Sequence, residues 1–274
     1  MGAPDDAGTD RSAGTPGRLL VDEPAPAVTR LTISNPSRRG ALDHAILDAL
    51  ASTLPRLDAR CLIFTGEGHT FSAGYDLGAL PDEPLPEEAD RLVANPFAAA
   101  IDAVDSYPYP TLAVLNGPAI GGGLELAVSC DLRLAAASVY VQMPPARLGL
   151  VYSHTGIQKF IDTIGAARTR ELFLVARRID ARTAAAWGLL NAVAEGDRLA
   201  EEGLGLASEI AAGAPLAQRG NKRIIRELLA ARGALDAEVE QELLDLRRAC
   251  FSSEDFREAV RAFAEKREPR WQGR

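Results

Sequence analysis

Two glycine-bearing turns and one glutamate are the residues of this chain best suited to chemistry. The first turn is Phe71-Ser72-Ala73-Gly74-Tyr75-Asp76-Leu77. The second is Asn116-Gly117-Pro118-Ala119-Ile120-Gly121-Gly122-Gly123-Leu124-Glu125-Leu126. Each follows a compact apolar run, Cys61–Thr65 or Thr111–Asn116, fit for a buried parallel strand. Small residues let a backbone approach a ligand closely. Where such a turn opens a helix, the first N–H groups have no intrahelical acceptor and sit at the positive end of the dipole. Two such turns meeting at a cleft would bind a developing oxyanion. Tight turning alone is the competing account of these glycines. Two other glycine-rich chemistries fail on spacing. No phosphate loop ending in Gly-Lys-Ser/Thr is present, and the triple glycine does not fit the dinucleotide fingerprint.

Glu125 lies one turn into the helix expected from Gly122 to Ser129, among Leu124, Leu126, Ala127 and Val128. A carboxylate in such surroundings is costly unless it is paired or faces a wet cleft. Burial would raise its pKa toward the range useful for proton transfer. A salt bridge to Arg133 or Arg147 is the structural alternative. The histidines His44, His69 and His154 are dispersed without metal-ligand spacing, so no metal is expected. His154 stands beside a helix start, where an exposed cap competes with a role at the site. Tyr75 suits either an acyl pocket wall or simple packing.

The elements that position these groups follow from periodicity. Leu19–Val21 and Val28–Ile33 predict a hairpin around Pro24–Pro26, and Asp43 caps a helix carrying Ile46, Leu47, Leu50, Leu54 and Leu57. Residues 78–90, rich in Pro, Asp and Glu, predict a mobile loop before a helix from Ala94 to Val104. Leu132–Ala135 and Val139–Gln142 predict short strands. Beyond Thr155 the pattern is helical apart from Asn191–Ala194, with long amphipathic stretches between Ala214 and Lys266. Strand–helix alternation followed by helices alone predicts an α/β core with a helical C-terminal part. Three segments result: a disordered tail over 1–17, a core over 18–210 and a helical region over 211–274.

Bulk properties bound the function. The chain has 274 residues, 47% hydrophobic and 25% charged, enough to bury a core without staples. A net charge of -8 argues against a nucleic-acid footprint, and an anionic ligand would need local arginine or lysine. No apolar run approaches a membrane span, and the first residues lack the apolar stretch of a signal peptide. The three cysteines, Cys61, Cys130 and Cys250, are odd in number and widely spaced, which fits inert thiols in a cytoplasmic protein.

The segment FSAGYDL followed by NGPAIGGGLELAVSCDLRLAA resembles the enoyl-CoA hydratase/isomerase, or crotonase, superfamily. The likeness runs over about residues 18–270 and includes SEDFREAVRAFAEKREPRW. It implies a spiral of β-β-α turns with a helical trimerisation region, assembled as a homotrimer or homohexamer. It implies an acyl-CoA substrate and no cofactor beyond the coenzyme A that the substrate carries. By position, Ala73 and Gly122 supply the oxyanion-hole amides and Glu125 is the catalytic acid or base. Ala73, Asp76 and Leu77 line the adenine side, Arg39 of RRGAL lies near the CoA phosphates, and Ala41 and Gly121 are further substrate-binding candidates.

One departure redirects the expected reaction. Family hydratases carry a second glutamate in a Pro-Glu-Val-Lys-Leu-Gly stretch; here the stretch is Met143-Pro144-Pro145-Ala146-Arg147-Leu148-Gly149. Pro145 takes the acid's place, and its side chain neither gives nor takes a proton. The following Leu148-Gly149-Leu150-Val151-Tyr152-Ser153 is similar to methylmalonyl-CoA decarboxylases, which also lack the second acid and make Tyr152 a site candidate. Those decarboxylases have His where Tyr75 stands. The expectation is a lyase that decarboxylates a malonyl-type CoA through an enolate. The alternatives are a one-glutamate hydratase or isomerase, and a non-catalytic acyl-CoA-binding scaffold.

Overall fold

A computed structural model describes residues 15–76, 94–195, 197–265 and 267–272. Most of the expected tail, the 78–90 loop and Leu77 lie outside the described residues. The chain opens with β1 (Arg18–Ala25) and β2 (Val28–Ser34), an antiparallel pair. Their turn is at Pro26–Ala27, where Ala27 has φ 60°, later than the expected Pro24–Pro26. β1 runs through Pro24 because it is an edge strand, where a missing N–H costs no ladder bond.

From β2 onward the chain repeats one pattern: a long strand, a very short strand, then a helix. The first repeat is β2, β3 (Ala41–Leu42) and α1 (His44–Thr53). The second is β4 (Cys61–Gly66), β5 (Gly74–Tyr75) and α2 (Asn95–Ser106). The third is β6 (Thr111–Leu115), β7 (Ala119–Ile120) and α3 (Gly122–Ser129). The fourth is β8 (Leu132–Ala136), β9 (Tyr140–Gln142) and α4 (His154–Arg170). β10 (Ile179–Asp180), α5 (Ala181–Ala186), β11 (Ala192–Ala194) and α6 (Leu199–Ala212) follow. The long strands form a six-stranded sheet in the order β1-β2-β4-β6-β8-β11, parallel from β2 on. The short strands form a three-stranded sheet, β10-β9-β7, and a pair, β3-β5. This is the expected spiral of β-β-α turns.

The long strands read as unbroken apolar runs because both faces are covered. Leu31, Leu62, Phe64, Ala113 and Leu115 pack with Ile46, Leu50, Ile101 and Leu124 on one side. Cys61, Ile63, Leu112 and Val114 pack with Leu199, Ala207 and Ala211 of α6 on the other. Asp43 caps α1 by accepting from Ile46 N–H at 3.1 Å, as the sequence predicts. After α6 come α7 (Pro215–Arg232), α8 (Ala237–Phe251) and α9 (Glu254–Glu265). No described helix is long and apolar enough to cross a membrane.

The C-terminus of α3 is closed by Arg133, a buried residue of β8. Its guanidinium donates to the carbonyls of Cys130 (2.6 Å), Val128 (3.3 Å) and Leu189 (2.7 Å). Two of those carbonyls belong to the end of α3, where intrahelical donors run out. Arg133 therefore braces the helix that carries Glu125 instead of pairing with that carboxylate. Arg133→Met leaves these buried carbonyls without donors. It is expected to lower unfolding free energy by roughly 2–5 kcal/mol, read by urea denaturation; an unchanged midpoint would refute the bracing role.

Candidate active site

β4 and β6 are parallel neighbours, so the two glycine turns that follow them leave the sheet side by side. Their contact is extensive. Phe71 and Ser72 N–H both donate to Pro118 carbonyl at 3.2 Å, and Ile120 N–H donates to Ser72 carbonyl at 2.9 Å. A Cβ on Gly74 would stand 2.5 Å from Ile120 carbonyl oxygen and 3.0 Å from Gly122 nitrogen. Only glycine allows that approach, and Gly74 also has φ 89°. Gly121, at φ 53°, turns the second segment into α3.

The merged turns open onto a cavity of about 120 Å³. Ala73, Tyr75, Gly121, Gly122, Glu125, Pro145 and Tyr152 all line it, so seven of the sequence candidates meet there. The volume is below the 300–1,000 Å³ usual for a whole drug-sized ligand. It is large enough for a group of only a few heavy atoms.

The amides do not match the sequence assignment in full. Gly122 is the first residue of α3, so its N–H lacks an intrahelical acceptor at the positive end of the dipole. Ala73 is different: its N–H donates to Arg39 carbonyl at 3.0 Å. That amide is engaged in the fold, and the assignment of Ala73 as an oxyanion donor is corrected. The cause is the local ladder. Asp76 N–H donates to Leu42 carbonyl of β3 at 3.3 Å. Successive strand amides point to opposite sides, so the Tyr75 amide faces away from β3.

Glu125 is only 3% exposed. Tyr152 hydroxyl donates to its Oε2, in a short hydrogen bond. Burial pushes the Glu125 pKa up from 4.5 to about 7, while the Tyr152 hydrogen bond and the positive charges of Lys159 and Arg247 oppose the rise. Burial and the Glu125 charge hold the Tyr152 hydroxyl well above its ordinary value. The Tyr152 ring sits edge-on to Phe173, with centroids 5.5 Å apart. Gly156 in α4 makes room for the pair: a Cβ there would meet Tyr152 Cε1 at 2.7 Å and Glu125 Oε1 at 2.9 Å. Tyr75 both lines the cavity and packs on Phe97, centroids 5.2 Å apart, and burial raises its pKa.

The remaining candidates sit elsewhere. His154 begins α4 but turns to Glu240 of α8, 3.6 Å away, and is not a wall of the cavity. Arg39 is exposed beside the first turn in a left-handed conformation, φ 53°. Asp76 pairs with Arg38, and Ala41 is buried against Gly74 in the β3–β5 pair. None of these three lines the cavity. Sequence reasoning missed Phe97, Arg247 and Phe251, which come from helices distant in the chain, and Gly156, whose small size matters only once α4 packs against Glu125.

These features coincide with what comparison finds. The enoyl-CoA hydratase/isomerase family profile matches residues 23–274. The chain belongs to the enoyl-CoA hydratase/isomerase family. It is 33% identical over 252 residues to a probable enoyl-CoA hydratase of Mycobacterium tuberculosis, covering 91% of this chain and 97% of that one. It is 33% identical over 241 residues to the methylmalonyl-CoA decarboxylase of Escherichia coli, covering 85% and 90%. A solved methylmalonyl-CoA decarboxylase in complex with 2-nitronate-propionyl-CoA superposes with TM-score 0.85 at 30% identity, over 94% of this chain and 99% of that one. The family processes acyl-CoA thioesters, and the fold seen here is its fold.

Two predictions follow from the Glu125 geometry. A carboxyl whose folded pKa lies above its unfolded one loses stability as pH rises from the unfolded value through the folded one, here from 4.5 to about 7. Glu125→Gln removes that loss. The stability of the variant relative to wild type should therefore rise by on the order of 2–3 kcal/mol between about pH 5 and pH 8, measured by urea unfolding; parallel curves would contradict the raised pKa. Gly156→Ala should lower turnover at least about tenfold by displacing the Glu125–Tyr152 pair, with circular dichroism as the folding control.

Proposed function

We propose that this chain decarboxylates a malonyl-type acyl-CoA, such as a 2-alkylmalonyl thioester, through an enolate. One observation carries the reading. Among the described residues lining the cavity, Glu125 is the one carboxylate, and Pro145 stands in the same wall where a two-glutamate hydratase would need its second acid. Adding water to a double bond with two carboxylates has no second partner here. Loss of CO2 needs no base, only stabilised charge on the thioester oxygen. The similarity to methylmalonyl-CoA decarboxylase supports the same assignment.

In this reading the thioester oxygen faces Gly122 N–H, with the Tyr75 amide replacing Ala73 on the first turn. The bond between the α-carbon and the carboxylate breaks, and its electron pair passes through the α-carbon onto the thioester oxygen. CO2 leaves and an enolate remains. A fixed donor in a dry site stabilises that charge by about 3 kcal/mol. Glu125 in its acid form then protonates the α-carbon. Tyr152 occupies Oε2, so the transferable proton resides on Oε1. The glutamate recovers its proton from water, and the net reaction consumes one proton per CO2.

The second reading is an enoyl-CoA hydratase or isomerase with Glu125 as the single base. The relatives named as hydratases favour it, and a carboxyl with pKa about 7 serves a base as well as an acid. A non-catalytic acyl-CoA scaffold is the third; burying Glu125 beside Tyr152 at a cost in stability argues against it. For assembly, the exposed Leu216, Ile224, Ile225 and Leu228 of α7 support a homotrimer or homohexamer.

The readings separate on pH as well as on product. Purified protein is supplied with methylmalonyl-CoA and with crotonyl-CoA, following CO2 release and loss of double-bond absorbance. Decarboxylation is expected, with kcat falling as pH rises through about 7 because Glu125 must be protonated. Hydration without CO2, or a rate that rises through that pH, assigns Glu125 as a base and overturns the decarboxylase reading.

A further inference from the structure

Arg247 of α8 lines the cavity together with Glu125 and Tyr152. It is half-buried, and it forms no hydrogen bond or ion pair with any described residue, although acidic side chains are plentiful on α8. The neighbouring cations of the chain behave otherwise: Lys159 pairs with Asp105, and Lys222 with Asp131. A guanidinium carries five donors in a rigid fork shaped for a carboxylate. At an otherwise largely apolar cavity those donors are the groups placed to meet an anion that enters it.

The anion is not Glu125. That carboxyl already accepts from Tyr152, and burial keeps it protonated up to about pH 7. Nor does the position favour the phosphates of a coenzyme. Arg247 shares the cavity with Glu125, Gly122 and Tyr152, the groups that act on the acyl carbon in the reading above. Its positive charge is felt by Glu125, Tyr75 and Tyr152 alike. The cavity holds only the acyl head of the substrate, so an anion within it belongs to that head.

We propose that Arg247 is a specificity-determining residue that binds a carboxylate carried on the acyl group, so that the site selects acyl-CoA thioesters with a free acid over neutral ones. This deepens the malonyl-type reading above and rests on the same cavity. Arg247 holds the carboxylate end while Gly122 holds the thioester oxygen, which fixes the acyl head at two points. A neutral acyl-CoA leaves the guanidinium unpaired.

Two unreactive thioethers test the assignment without catalysis: S-(2-carboxyethyl)-CoA and its neutral amide isostere, S-(2-carbamoylethyl)-CoA. Titration calorimetry on the full-length protein gives both affinities. The wild type is expected to prefer the carboxylate by about tenfold or more. Arg247→Met should erase that preference by weakening the acid alone, and Arg247→Lys should keep part of it, which also controls for folding. Equal affinities in the wild type, or an equal loss of both ligands in Arg247→Met, would overturn the proposal. The decarboxylase reading fails separately: a protein that prefers the acid yet releases no CO2 from methylmalonyl-CoA retains the Arg247 assignment and loses the reaction.

Discussion

The Glu125 carboxyl is buried on the first turn of α3 and, among the described residues, receives one side-chain donor, the Tyr152 hydroxyl. A carboxyl group in that position is favourable only while it is neutral, and ionising it costs the fold stability. Several other features serve to keep it there. Arg133 braces the C-terminal end of the helix that carries it, and Gly156 leaves the space that the carboxyl and the phenol fill. The outcome is a proton that can be given or taken near neutral pH, beside a backbone amide at the head of the same helix.

The spiral explains why that amide and that proton face a common space. Each turn adds one long strand to the same parallel sheet, so consecutive turns leave it at the same edge. The segments after β4 and β6 are thereby forced against each other, and the glycines at 74 and 121–123 absorb the contact. A consequence is that the amide direction in the first turn is set by the ladder between β3 and β5. Ala73 is drawn into that ladder, while the register turns Tyr75 the other way. The cleft is thus defined by strand pairing outside it as much as by the residues within it.

The helical C-terminal part is more than a cover. α8 delivers Arg247 and Phe251 to the cavity, adding to the aromatic walls of the spiral a cation that the spiral's lining residues do not supply. α8 also takes His154 away from the cavity by offering it Glu240. The chain as a whole is acidic, so Arg247 is a local positive charge set in a negative overall field.

The sequence alone determined the architecture and most of the cavity wall. Buried parallel strands must be apolar on both faces, so Cys61–Thr65 and Thr111–Asn116 stood out, and the glycines after them marked where two turns meet at the cavity. Glu125 was readable because a carboxylate amid leucines demands a reason, and Pro145 because proline cannot carry a proton. The tertiary structure alone decided which amide is engaged, since hydrogen-bond direction depends on the register between β3 and β5, two-residue strands too short to leave a pattern. It alone paired Glu125 with Tyr152 and not with Arg133 or Arg147, because 27 residues of chain separate the partners and only packing brings them together. It alone brought in Arg247, one arginine among many on amphipathic helices, because the position of a distant helix over the cavity is a property of the assembled core and not of local sequence.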